Sequence, residues 1–124
     1  MTSLAIAELM AASWILSDND PRIPTSHGIL DRGLRDAIAG GAFPTWAKTR
    51  LHFVDSHVGL QCVELPAILD WAQRSQLATA CSSYLTIQVS RQAVRVLLRD
   101  LGVDETQTVE WGHRLRVAIA DSIE

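Results

Sequence analysis

Four histidines, two cysteines and eleven basic residues are the side chains with which this 124-residue chain could do chemistry. Asp55-Ser56-His57 contains the residue types of a hydrolytic triad, and His52 lies just before it. A triad needs its nucleophile, base and orienting carboxylate to converge in space. Its members therefore come from separate elements, and three chain neighbours do not meet that need. The spacing of His52 and His57 puts them on opposite faces of a hairpin or around its turn, which matches no zinc pattern. His27 and His113 have no evident partners in the sequence. Cys62 and Cys81 are too few for a disulfide framework or a zinc site. Both lie in apolar surroundings, as buried free thiols do. Gly40-Gly41 follows a helical pattern rather than a strand, so it is not a phosphate loop. No carboxylate pair selects itself as general acid and base. The expectation is a protein with no catalytic residue, no metal and no cofactor, and hence not an enzyme.

The basic residues point elsewhere. Ten are arginine and Lys48 is the one lysine. Arg91, Arg95 and Arg99 recur every four residues, a ridge beside the apolar stripe of one helix that could hold phosphates or an acidic partner helix. That helix and the next are joined by Leu101-Gly102-Val103-Asp104. The stretch Leu101-Gly102-Val103, with Val109 and Trp111 after it, resembles the turn and recognition helix of repressor-type helix-turn-helix motifs. The resemblance implies a DNA-binding regulator with a divergent motif over residues 91–121, using Arg91, Arg95, Arg99, Arg114 and Arg116. Leu98 departs from it, because a small residue is usual there so that the helices can cross closely. Asp104, Glu105 and Glu110 depart further. Carboxylates at the start of a recognition helix face phosphates, whereas they suit the N-terminal end of a helix dipole. An ordinary helical hairpin is the plainer reading, and DNA binding is the second candidate function.

The elements that would position these groups follow from periodicity. Leu4–Ser17 predicts a helix that is apolar almost all round, which calls for burial on more than one side. It is either a central helix or one that offers surface to a partner. Residues 18–27 predict an internal loop, since polar residues cluster around Pro21 and Pro24. A second helix runs from Gly28 or Ile29 to Ala39, with Ile29, Leu30, Gly33, Leu34, Ala37 and Ile38 as its stripe. Pro44 opens a short helical turn through Trp46 and Ala47. Leu51 and Phe53, then Val58, Leu60 and Cys62, alternate with polar residues as a hairpin turning at Asp55-Ser56-His57. Pro66–Leu77 is helical, Tyr84–Val89 a third strand, and Ser90 caps a helix over Arg91–Leu101 closed by Gly102. Asp104 with Gln107 forms a capping box for a last helix to about Ser122. The order α-α-α-β-β-α-β-α-α predicts an α+β fold: a single domain, 1–124, of five to six helices around a small three-stranded antiparallel sheet.

Composition narrows the function. Hydrophobic residues make up 48% and charged residues 20%, which argues against disorder. The net charge is −3, and neither half of the chain is a basic tail. That balance disfavours phosphate-driven binding. No basic residue precedes Arg22, and the first apolar run is too short to span a bilayer. The expectation is a reduced, cytoplasmic protein away from the membrane. Four tryptophans in so short a chain are unusual, and indoles are enriched at binding hot spots. Trp46, on a helix too brief to bury it, is expected to be exposed. With Phe43 and Pro44 it would form an apolar patch, and Leu9 and Trp14 would add surface from the first helix. The leading reading is a small regulatory protein, of the accessory or antiactivator type, that binds another protein or itself as a homo-oligomer.

Overall fold

A computed structural model describes residues 2–123, and its centre is the first helix, α1 (Thr2–Ser17). Ile6, Ala7, Leu9, Met10, Ala11, Ala12 and Trp14 are all buried on it. The all-round apolar pattern is resolved inside the chain. Helix α1 is walled by α4 (Leu65–Arg74), α5 (Arg91–Leu101) and α6 (Glu105–Ile123). Its two buried hydroxyls are satisfied locally: Ser13 Oγ donates to the Met10 carbonyl and Ser17 Oγ to that of Trp14, both at 2.9 Å. Leu9 and Trp14 are thus interior residues, and the expectation that they offer surface to a partner is corrected.

Helix α6 lies against both α1 and α2 (Ile29–Ala39). Gly112 makes the α1 crossing possible, because a Cβ there would overlap the Ser13 carbonyl and sit 2.7 Å from Ser17 Oγ. Leu115 and Ile119 continue the same buried face. Helix α5 rests on α1 through a smaller cluster of Ala12, Val94 and Leu98. Its ends are as the sequence predicts. Ser90 Oγ accepts from Ala93 N at 3.1 Å, and Gly102 takes the left-handed conformation. Asp104 caps α6 by accepting from Gln107 N at 3.0 Å.

The remaining elements are α3 (Thr45–Lys48), one 3-10 turn (Ser26–Gly28) and five short strands: β1 (Arg22–Pro24), β2 (Phe53–Ser56), β3 (Gly59–Cys62), β4 (Ala78–Cys81) and β5 (Tyr84–Ile87). The fold is a single α+β domain with six α-helices and a three-stranded antiparallel sheet. The composition of that sheet differs from expectation. It runs β1-β5-β4, while β2 and β3 form a separate hairpin. Part of the stretch expected as loop, 18–27, is therefore strand. Pro24 fits there because Ile23 pairs with Leu85, and Thr25 N donates to Ser83 O. The alternation leaves Pro24's missing N–H on the outer edge, where a ladder needs none. Strand β4, Ala-Thr-Ala-Cys, has too little apolar bulk to advertise itself.

Candidate interaction surface

The hairpin arises from a two-residue turn. Phe53 pairs with Cys62, Val54 with Gln61, Asp55 with Leu60 and Ser56 with Gly59. Gly59 takes φ +114, which a side chain would oppose. Ser56 Oγ closes the turn, donating to Gly59 O at 3.0 Å and accepting from Val58 N at 3.3 Å. Alternation puts Phe53 and Cys62 toward the body and Val54, Ser56 and Gln61 toward solvent.

Two carboxylates anchor the base of the hairpin. Asp31 Oδ2 on α2 accepts from Cys62 N at 2.8 Å. Glu64 Oε1 accepts from the His52 backbone N–H at 2.7 Å, and Glu64 Oε2 meets His52 Nδ1 at 2.6 Å. Burial alone would push the Glu64 carboxyl up, but the His52 amide and ring outweigh it and hold the group below its ordinary value. Burial pushes the Cys62 thiol up to about 11. At neutral pH it is protonated and a poor nucleophile.

The triad letters do not assemble. Ser56 Oγ is occupied by the turn, not by an imidazole. His52 is the histidine that meets a carboxylate, and that pair is exposed at the imidazole. Among the described residues there is no group of three or more His, Cys, Asp or Glu that could hold a metal ion. No helix there is long and apolar enough to cross a membrane.

What this region offers is surface. Trp46 is 36% exposed, Val54 46%, Val58 69% and Val63 57%. The other exposed large apolar residues, Tyr84, Val96, Val117 and Ile123, are dispersed over other elements. Beside the hairpin lies an open groove of about 790 Å³ lined by Val58, Leu60, Val63, Pro66 and Leu69, with Asp31 and His27 at its polar side. Residues 37–54 contain no acidic side chain. Lys48 and Arg50, either side of Thr49, appear in no ion pair among the described residues. An exposed indole with free cations beside it therefore sits on an otherwise acidic protein.

The expected patch is only partly realised. Trp46 is exposed and Pro44 half-buried, but Phe43 is buried. Phe43 takes φ +70, which turns its ring inward to meet Trp111 at a centroid distance of 6.1 Å. The chain reversal after Gly41 decides this, and nothing in the residue type announces it. Trp71 and Trp111 are half-buried. Sequence reasoning missed Lys48, Arg50, Val54 and Val63. Their signals are the acid-free stretch and valines at hairpin positions where alternation calls for polar residues.

The arginines of the DNA-binding reading are mostly engaged within the chain. Arg116 donates to the carbonyls of Trp14 at 2.6 Å and Asp20 at 2.8 Å and to Ser17 Oγ at 2.7 Å, with its guanidinium 4.0 Å from the Trp14 ring centre. Burial lowers its pKa, against the pull of Asp18 and Asp20. Arg114 donates to Gly40 O at 2.6 Å and pairs with Glu110 at 2.9 Å. Arg95 pairs with Glu105 at 3.4 Å and Arg91 donates to Asn19 Oδ1 at 3.2 Å. Arg99 is exposed. Helix α6 also has one flank buried along α1 and α2. No family model, curated protein or solved structure matches the chain.

Proposed function

We propose that this protein is a small regulator that acts by binding another protein, without catalysis. Two exposed features support the reading: Trp46 on α3, with Lys48 and Arg50 next to it in the chain and in no ion pair among the described residues, and Val58 and Val63 along the groove beside the hairpin. An indole with apolar neighbours supplies the anchor of a binding site. The adjacent cations favour a partner with acidic residues around its own apolar anchor and speed its encounter. The raised pKa of Cys62 and the occupied Ser56 hydroxyl speak against nucleophilic chemistry here.

The test is capture of a partner from the native host, followed by titration of that purified partner against wild type, Trp46→Ala and Arg50→Glu. The expected result is affinity weakened by about tenfold or more in each variant, with unchanged folding. Equal affinity in all three would refute the surface. Tight, steeply salt-dependent binding to duplex DNA that is lost with Arg91, Arg95 and Arg99 replaced would establish the other reading.

A further inference from the structure

Elements far apart in sequence wall the groove of about 790 Å³ beside the hairpin: the turn at Thr25–Gly28, strand β3 and the start of α4. Two neighbouring residues of α2 hold the first two walls. Asp31 Oδ2 accepts from Cys62 N at 2.8 Å, and Arg32 Nη1 donates to His27 O at 2.9 Å. Glu64, at the head of α4, ties that helix to the His52 amide at 2.7 Å. The groove is therefore pre-formed, as binding sites usually are. Its lining is apolar at Val58, Leu60, Val63, Pro66 and Leu69, and it holds one carboxylate and no lysine or arginine. That carboxylate, Asp31, is half-buried and in no ion pair among the described residues. The arginines nearest it in the chain are directed elsewhere: Arg32 to the carbonyls of His27 and Ser122, Arg35 to Asp36 at 3.1 Å. Asp31 Oδ1 has no hydrogen-bond partner among the described residues. The Cys62 thiol, pushed up to about 11 by burial, adds no charge at neutral pH. By the parity of the ladder, Leu60 turns its backbone N–H and C=O to the same side as Cys62 N. Its oxygen would be 3.7 Å from a Cβ on Gly28, so the glycine keeps a side chain from standing over it.

We infer that this groove receives an arginine side chain of the partner protein, its guanidinium on Asp31 and its methylene stem along the apolar wall. The inference rests on the protein-binding reading above and adds the partner's chemistry to it. A carboxylate held partly out of water has lost hydration that a charged donor restores. An apolar side chain would complete that loss without replacing it, and an anion would be repelled. The guanidinium is a donor-only group whose planar fork serves two acceptors at once, here Asp31 Oδ1 and the Leu60 carbonyl. It is also less strongly hydrated than an ammonium, which suits a half-buried carboxylate. The stem covers apolar surface at Val63 and Leu69 while the charge stays with Asp31. With Lys48 and Arg50 beside Trp46, the two features have opposite electrostatic sign. A partner must then present a basic anchor to the groove and acidic residues to α3, which fixes its orientation.

Backbone amide chemical shifts of the isotope-labelled full chain test this without any partner. The probes are n-propylguanidinium, which is the arginine side chain cut at Cβ, and N-acetylarginine amide. Saturable shifts at Val58, Leu60, Val63 and Leu69 are expected for both, with Kd of about 1–20 mM. n-Butanol and butyrate, the neutral and anionic counterparts, should bind about fivefold more weakly or not at all. Asp31→Asn keeps an amide oxygen for Cys62 N and removes the charge, so it should weaken both probes by about fivefold or more. Val63→Lys, at an exposed position on the rim, should weaken them by repulsion and decides the matter if the first variant does not fold. Circular dichroism verifies folding of each. Absence of saturable shifts in the groove overturns the inference. So does equal affinity for n-butanol, or affinity unchanged in a folded Asp31→Asn or Val63→Lys protein. Binding of n-propylguanidinium without N-acetylarginine amide also overturns it, and assigns the groove to a free organic cation. These shifts do not involve Trp46, so their absence leaves the Trp46 reading standing. Equal partner affinity in Trp46→Ala would remove that reading and leave the shifts in place.

Discussion

The helical body and the α3–hairpin arm differ in what they leave without a partner, although both expose valines and both satisfy polar groups internally. In the body, hidden hydroxyls are matched to nearby carbonyls, Arg116 is bound on several sides, and Gly112 lets backbones meet. Its one buried side-chain polar atom without a partner among the described residues is Trp14 Nε1, beneath the Arg116 guanidinium. On the arm, valines face solvent, and among the described residues Lys48 and Arg50 have no ion pair and the outer edge of β2 has no strand partner. Under the proposed function, the difference separates residues that keep the chain folded from residues that a partner would contact. It also assigns each substitution a distinct readout: thermal stability for the body, association for the arm.

The strongest way to break the body is Gly112→Ala. Its Cβ would meet the Ser13 backbone rather than a flexible side-chain tip, so α1 and α6 must separate. A loss of about 3 kcal/mol or more is expected, seen as a collapse of the urea midpoint. Arg116→Ala comes next. It strips the carbonyls of Trp14 and Asp20 of a charged donor and uncovers the Trp14 ring. About 2 kcal/mol should be lost in denaturant unfolding. Trp46→Ala belongs to the arm. It should cost about 2 kcal/mol in partner binding by calorimetry and about 1 kcal/mol in stability, since the indole is 36% exposed and the rest of it is covered by the chain. A large drop in stability there would place Trp46 in the body after all.

The smallest effect is electrostatic. Burial, and then Asp100, push the Glu8 carboxyl above its ordinary value. A carboxyl raised in the folded state contributes stability below its unfolded pKa, and that contribution fades as pH rises through the folded value. Glu8→Gln should therefore raise Tm at pH 7 by about 1–3 °C, and the gain should vanish near pH 3. Glu64 has the opposite sign. Its lowered carboxyl lends stability that is lost as pH falls below the usual carboxylate range.

Much of the fold was legible where local chemistry decides. Ser90 and Gly102 mark the limits of α5, Asp104 and Gln107 mark the start of α6, and alternation around His57 marks the hairpin. Strands β1 and β4 were not legible. Three residues ending in proline, and four small ones, hold their place through β5 rather than through any pattern of their own. The site divides in the same way. Trp46 could be read as exposed because a proline-opened turn of helix is too short to hide an indole. Phe43 could not be read as buried, because the chain reversal that turns its ring onto distant Trp111 is not announced by its residue type. The internal use of Arg114 and Arg116 depends on carbonyls more than seventy residues away.

The central claim is that residues 46–63 are the part of this molecule that another protein covers. Hydrogen exchange read by mass spectrometry, with and without the captured partner, tests it most directly. Slowed exchange confined to α3, the hairpin and the adjoining start of α4 is the expected footprint, with α5 and α6 unchanged. Protection centred on α5 and α6 that spares 46–63 would contradict the account.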